Sequence, residues 1–296
     1  MTGNSYTVDT LPSPLPFYLK VFRPRSGFRD GDHIPQTSII WNSFEFDEKT
    51  VRDYATACGL RVDDGRIPLL FPHSYFGPLH LKMITDENFP SSMLGSLHLR
   101  NHLIQHKPLY LTKSYQLKLF FMGERRRPQG LEIDFKTEIY EGNSVAWESV
   151  STLLVRKKFK HEDGESELAG RLVNLEQALV LNSFKVPRNT GKRFGMITKD
   201  INPIHMSRLL AKAFGFKRDL CHGMWALGKS LNYLEGVNYD LPVRNDVAFK
   251  GPLYMEQDIT IKTNGTNSDR FELFSGENSR PCVVGYLGNV PVGSSL

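Results

Sequence analysis

Two stretches of the chain alternate apolar and polar residues with period two, and each is preceded by a short run that is apolar on every side. In the first, Tyr115, Leu117 and Leu119 begin an alternation that predicts strands over residues 117–122, 131–141 and 144–157. In the second, Ile259 and Ile261 begin one that predicts strands over 259–263, 269–274 and 281–287. The run Met224-Trp225-Ala226-Leu227-Gly228, continuing to Leu231, Tyr233 and Leu234, has little polar interruption and predicts a buried helix starting at Gly223. Just before it, Asn202 is a good N-cap and Pro203 suits the first helical position, so a helix is expected from there to about Phe214, ended by Gly215.

The two stretches echo one another. Gln105-His106-Lys107-Pro108-Leu109-Tyr110-Leu111 resembles Phe249-Lys250-Gly251-Pro252-Leu253-Tyr254-Met255, and each leads into a period-two strand. Upstream, Pro72 to Gly77 stands where Cys221 to Ala226 stands in the second copy, and Asp53 to Gly59 echoes Leu210 to Gly215. Three echoes in one order, at a period of about 145–155 residues, indicate a duplicated domain rather than a solenoid. Each copy runs from a short strand and helical segment through a buried helix to several antiparallel strands, an α+β layer in which a curled sheet wraps one apolar helix. The polar stretch 160–170 is the expected linker, which divides the chain into domains 1–160 and 170–296.

The candidate chemistry lies in Asp200-Ile201-Asn202-Pro203-Ile204-His205 and His222-Gly223-Met224. Asp200 precedes the cap and His205 falls in the first turn, so a carboxylate and an imidazole converge beside a helix start and can hold a water between them. The helix dipole there favours an ionised Asp200 and a neutral His205. Backbone N–H groups at Gly223 offer a site for negative charge developing on a carbonyl oxygen. Taken singly, Asx-x-Asn-Pro is a common helix start and His-Gly a common turn.

Residues 194–224 resemble the MaoC-like dehydratases and (R)-specific enoyl-thioester hydratases, whose motif reads aromatic, S-G-D-x-N-P-[IL]-H, helix, H-G-M. Phe194 supplies the aromatic residue, Asp200, Asn202, Pro203 and His205 match the core, and His222-Gly223-Met224 match the close. Thr198-Lys199 replaces the usual Ser-Gly, which bulks and charges the approach to the pair. The resemblance implies a double hotdog fold and a hydro-lyase that interconverts trans-2-enoyl and (3R)-3-hydroxyacyl thioesters of coenzyme A or acyl carrier protein, without metal or redox cofactor. Asp200, His205 and the Gly223 amide would be catalytic, Asn202, Pro203 and His222 supporting, and Phe194, Lys199 and Met224 substrate-binding. An acyl thioesterase, or a non-catalytic acyl-thioester-binding subunit, is the alternative that a hotdog fold leaves open.

The first copy lacks the motif: Ser74 stands where the second has Gly223, and Pro78 interrupts what would be its central helix. In double-hotdog relatives such a half opens a channel for the acyl chain. Tyr75 and Phe76 are expected to bind substrate there, in a channel drawn from Phe71, Tyr75, Phe76, Leu79, Leu81 and Met83, with ordinary core packing the default for most of them.

Composition adds limits. With 296 residues, 40% of them hydrophobic, each half can bury a core. Three scattered cysteines have no disulfide or zinc spacing, and Cys221 is expected to be core rather than a nucleophile. No signal-peptide pattern or run of about eighteen apolar residues occurs, so a cytoplasmic protein without membrane insertion is expected. The C-terminal Ser294-Ser295-Leu296 is only a weak likeness of a peroxisomal address. A net charge of +5, concentrated at Arg125–Arg127, Arg156–Lys160, Lys192-Arg193 and Lys217-Arg218, suits attraction of an acidic thioester carrier better than nucleic-acid binding. Pairing into a homodimer is left open.

Overall fold

A computed structural model describes residues 4–21, 23, 25, 27–62, 64–91, 95–265 and 268–296. The first half contains β1 (Ser5–Thr7), α1 (Leu15–Val21), β2 (Ser38–Phe44), α2 (Glu48–Cys58), α3 (Phe71–Tyr75), α4 (Gly77–Ile84), β3 (Leu97–Gln105), β4 (Tyr115–Arg127), β5 (Gly130–Glu141) and β6 (Ser144–Val155). The second contains β7 (Leu179–Lys185), α5 (Thr190–Thr198), α6 (Pro203–Met206), α7 (Arg208–Ala213), α8 (Gly223–Ser230), β8 (Val243–Phe249), β9 (Asp258–Thr263), β10 (Arg270–Ser275) and β11 (Val283–Asn289).

All these strands join one sheet in the order β1-β2-β4-β5-β6-β3-β8-β11-β10-β9-β7. Apart from the parallel β1–β2 pair, every neighbour is antiparallel. Leaving aside the edge strand β1, the order is symmetric about the β3–β8 joint, so the duplication read from the echoes appears as two equivalent sets of five strands that share one sheet. This is a double hotdog. Pro108 and Pro252 occupy equivalent connections, and the tyrosines after them make equivalent bridges, Tyr110 to Arg66 and Tyr254 to Leu220. One echo is misaligned: α2 follows β2 as α5 follows β7, so the counterpart of α2 is α5 rather than the segment at 210–215.

Period-two alternation sends Tyr115, Leu117, Leu119 and Phe121 inward on β4, and Ile259 and Ile261 inward on β9. The inward faces wrap α3, α4 and α8. Trp147 on β6 donates its indole N–H to the Leu69 carbonyl, and Trp225 on α8 donates to that of Ala57 at the end of α2. An added Cβ at Gly228 would lie 3.1 Å from both Cys58 Sγ and the Tyr54 hydroxyl, so that glycine lets α2 approach α8 closely.

The central strands are buried on the outer face as well, and charged residues there form ion pairs. Arg125 binds Asp134 at 2.6 Å, Thr152 donates to Asp134, and Lys136 binds Glu148 at 2.9 Å. At the joint between halves, His102 pairs with Asp246 at 2.9 Å and Arg244 donates to the same carboxylate at 2.7 Å, all three almost fully buried. The polar linker is tied to the sheet through Asp163 to Arg126, Arg171 to Asp246 and Leu175 to Glu272.

Two helices differ from expectation. The helix expected from Pro203 to about Phe214 is broken at Ser207, whose extended backbone (φ −148°, ψ 128°) lets its hydroxyl cap α7. In the first half, α3 and α4 are separated at Phe76, two residues before the Pro78 of α4.

Candidate active site

A cavity of about 570 Å³ lies between the halves, with α8 and the 198–205 loop on one side and α4, β3, β5 and β6 on the other. Phe194, Lys199, Asp200, Asn202, Pro203, His205, His222, Gly223 and Met224 all border it. Ligating atoms of Asp200, His205 and His222 lie within 4.8 Å of one another.

Local sequence explains the convergence. Helix α5 ends at Lys199, which sits in the left-handed region (φ 60°), where glycine is the usual occupant, and turns the chain into Asp200. Asn202 caps α6 through its side chain, while its backbone N–H donates to Asp200 Oδ1 at 3.3 Å. Pro203 opens α6. Two glycines one turn apart on α5 make room for this loop: a Cβ at Gly195 would lie 2.6 Å from the Asp200 carbonyl oxygen, and one at Gly191 would lie 2.3 Å from that of His205. Neither glycine is among the sequence-expected residues, although their i, i+4 spacing in an amphipathic helix is a readable signal of close approach.

The hydrogen bonds define the imidazole tautomers. His205 Nδ1 lies 3.0 Å from the Leu220 carbonyl, so it carries the proton and leaves the Nε2 lone pair as the basic position. His222 Nε2 lies 3.0 Å from the Asp200 carbonyl and donates to it, with Asp200 Oδ2 at 3.5 Å. The two rings stack at 3.8 Å between centroids. With Nε2 of His222 committed as a donor, Asp200 and His205 offer two free ligand positions for a cation rather than three.

Burial raises the Asp200 carboxyl, but His222, His205, the Tyr18 hydroxyl and the Asn202 N–H together hold it below the ordinary carboxylate range. Its side chain is still 45% accessible, so it opens onto the cavity. Burial lowers His205 despite opposing pulls from Asp200 and the Leu220 carbonyl, and burial with the neighbouring His205 pushes His222 down to about 3. An ionised carboxylate thus faces neutral imidazoles at pH 7. The charge states match those expected from a helix dipole, but α6 has only four residues, so burial and direct partners are the cause.

Tyr18, on the exposed N-terminal helix α1, donates its hydroxyl to Asp200 Oδ1 at 3.0 Å and borders the cavity. No motif marks it in the sequence. The Gly223 and Met224 N–H groups at the start of α8 take no partner among the described residues. Gly223 is required for a different reason from open access: a Cβ there would meet the Phe249 ring at 2.5 Å.

Other expectations are corrected. Tyr75 and Phe76 do not border the cavity; they pack with Phe44, Phe46 and Phe71 in an aromatic cluster. Of the six channel residues, only Leu81 reaches the cavity, which enters the first half past Gly77 and Pro78 instead. Arg125 and Arg126 are occupied by Asp134 and Asp163 and Arg218 by Glu256, so among the expected basic clusters only Arg156 reaches the cavity, joined there by Lys199. Cys221 borders it too, but burial pushes its thiol well up, which suits core rather than nucleophilic use.

A carboxylate and an imidazole thus meet at the seam of a double hotdog, beside amides left free at the start of α8, an arrangement able to do acid/base chemistry. Residues 171–279 match the MaoC like domain. The chain is similar to 3-hydroxyacyl-thioester dehydratase X of Mycobacterium tuberculosis, with 26% identity over 224 residues that span 76% of this chain and 79% of that protein. The crystal structure of HtdX from that bacterium aligns with a TM-score of 0.72 and 23% identity, covering 86% of this chain and 100% of that one. A MaoC-like dehydratase from Phytophthora capsici aligns with a TM-score of 0.70 and 17% identity, covering 87% and 95%. No helix among the described residues is long and apolar enough to cross a membrane.

Proposed function

We propose that the protein is a hydro-lyase of fatty-acid metabolism that interconverts a trans-2-enoyl thioester and the (3R)-3-hydroxyacyl thioester, carried on coenzyme A or acyl carrier protein. The observation that carries this reading is the pairing of an ionised Asp200 with the free Nε2 of a neutral His205 on one cavity wall. The names of the M. tuberculosis relative and of the matched domain support it.

In the hydration direction, Asp200 and His205 hold a water between them. His205 Nε2 accepts a proton as the water oxygen bonds to the β-carbon; the pair returns a proton to the α-carbon, so one water is divided across the double bond. The thioester oxygen gains negative charge at the midpoint of this transfer, and the Gly223 N–H stabilises it. Asn202 and Tyr18 hold the carboxylate, and His222 holds the loop carbonyl behind it. Phe194 and Met224 supply apolar wall, and Lys199 stands at the mouth to meet phosphates or an acidic carrier. The first half houses the acyl group and the second supplies the chemistry. Buried free thiols at Cys58, Cys221 and Cys282 favour a reducing, cytoplasmic setting.

Crotonyl-CoA tests the reading. A hydratase removes the enoyl absorbance without liberating thiol. Thiol release would identify a thioesterase, and no reaction with retained binding would identify a carrier.

A further inference from the structure

The arm of the cavity that enters the first half is walled by Leu81, Phe135 and Leu153, yet His73, His80, His98 and Ser151 also face it. Asn101, fully buried, donates from Nδ2 to Ser151 Oγ at 2.9 Å and to His73 Nδ1 at 3.3 Å, and Ser151 Oγ also lies 3.3 Å from that nitrogen. An amide nitrogen can only donate, so His73 Nδ1 accepts and the ring proton sits on Nε2, which has no partner among the described residues. His80 is held by Thr137 at 3.2 Å. His98 stacks on His73 at 5.1 Å and meets the tilted Phe249 ring at 4.9 Å, and its Nε2 is buried without a partner among the described residues, as is Asn101 Oδ1. A channel for plain hydrocarbon has no use for imidazoles left open in this way, since each unfilled polar atom costs stability.

We propose that this arm is a subsite for an uncharged hydrogen-bonding group of the thioester, a hydroxyl, carbonyl or amide, held by Nε2 of His73 and His98 with the Ser151 hydroxyl. The inference rests on the thioester reading above and narrows its substrate class. Burial, with the neighbouring His98 and His80, pushes His73 well below its ordinary range; burial alone brings His98 to about 4, and burial with His98 brings His80 to about 4. Near neutral pH the three rings are uncharged, so a carboxylate or phosphate meets no counter-charge inside the arm; Arg156 stands exposed at its edge. The group can reach the arm from either end of the substrate, as an oxygenated acyl tail or as the amide-bearing pantetheine.

Calorimetric binding of saturated thioesters, which cannot be hydrated, tests the subsite apart from the reaction. In a length series, one ω-hydroxyacyl-CoA should bind roughly 3- to 10-fold more tightly than its alkyl counterpart, the range of one net hydrogen bond. His73→Phe and Ser151→Ala should each erase that preference. Should either fail to fold, Gly77→Phe closes the same arm, because a Cβ at Gly77 has no neighbour within 4 Å. If the tail makes no difference but exchanging the pantetheine ester for the N-acetylcysteamine ester, neither of which carries phosphate, weakens the wild type and not the variants, the pantetheine is the occupant. Preference for the alkyl tail at every length, or indifference to both exchanges, overturns the proposal. A chain that fails to hydrate crotonyl-CoA yet keeps the hydroxyl preference loses the activity reading and retains the subsite.

Discussion

Gly195→Ala separates site geometry from stability, because its two effects have opposite signs. In the middle of α5, replacing glycine by alanine favours the helix by about 1 kcal/mol. The new methyl would stand 2.6 Å from the Asp200 carbonyl oxygen, about 0.8 Å inside ordinary contact, and 3.3 Å from Met206 Sδ. That carbonyl is backbone and also accepts the His222 hydrogen bond, so it cannot swing aside as a flexible side chain would. Overpacking of this kind costs roughly 1–3 kcal/mol, so net stability should change by no more than about 2 kcal/mol. The forced shift, about 1 Å, falls on Asp200, whose carboxylate is proposed to bind the water, and a misplacement of that size can cost about 10²-fold in rate. Crotonyl-CoA hydration and urea unfolding, measured on one preparation, should therefore show activity falling tens- to a hundred-fold while the unfolding midpoint moves little. Met196→Ala, one residue on and 69% exposed, is the control and should change neither. A Gly195→Ala protein with wild-type kcat/KM and raised stability would show that α5 does not buttress the loop.

Three further outcomes are expected. Tyr18→Phe removes a hydrogen bond that holds the Asp200 carboxyl low, so activity, which is lost as pH falls through that pKa, should be lost at a higher pH than in the wild type; an unmoved acid limb in the pH–rate profile would make Tyr18 a bystander. Asp246→Ala leaves His102 and Arg244 buried without their carboxylate and should cost about 3–5 kcal/mol in urea unfolding near pH 7; burial raises this carboxyl but His102 and Arg244 hold it low, so its stabilisation is full above an unfolded pKa of about 4 and disappears below that. Lys199→Gly suits the left-handed φ of 60° while removing the charge, so KM should rise for a carrier-bound substrate, hardly change for a short pantetheine thioester, and differ less at high salt; equal effects on both would assign the lysine to the turn alone.

The 198–205 loop was largely legible because its conformation is local: Asn202 as cap, Pro203 as first helical residue and the spacing to His222-Gly223-Met224 are short-range signals that the fold brings to one cavity. Strands on the alternating pattern were legible for the same reason. Strands β3 and β8 were not, since they are largely buried on both faces, which removes their alternation and leaves a buried polar row that includes His102 and Asp246. Ser207 broke a helix that periodicity would have continued, by offering its own hydroxyl as a cap. Tyr18 reaches Asp200 across most of the chain, and Tyr75 and Phe76 turn away from the cavity; both depend on tertiary packing that no local pattern encodes.

The central claim is that Asp200 and His205 act together on one water. Its most direct test is crotonyl-CoA hydration by Asp200→Asn, His205→Ala and the double variant, with folding checked by circular dichroism. Each single change should lower turnover by at least about 10²-fold, and the double variant should be scarcely worse than the poorer single one. Near wild-type hydration by either single variant, or losses that multiply in the double, would contradict the account.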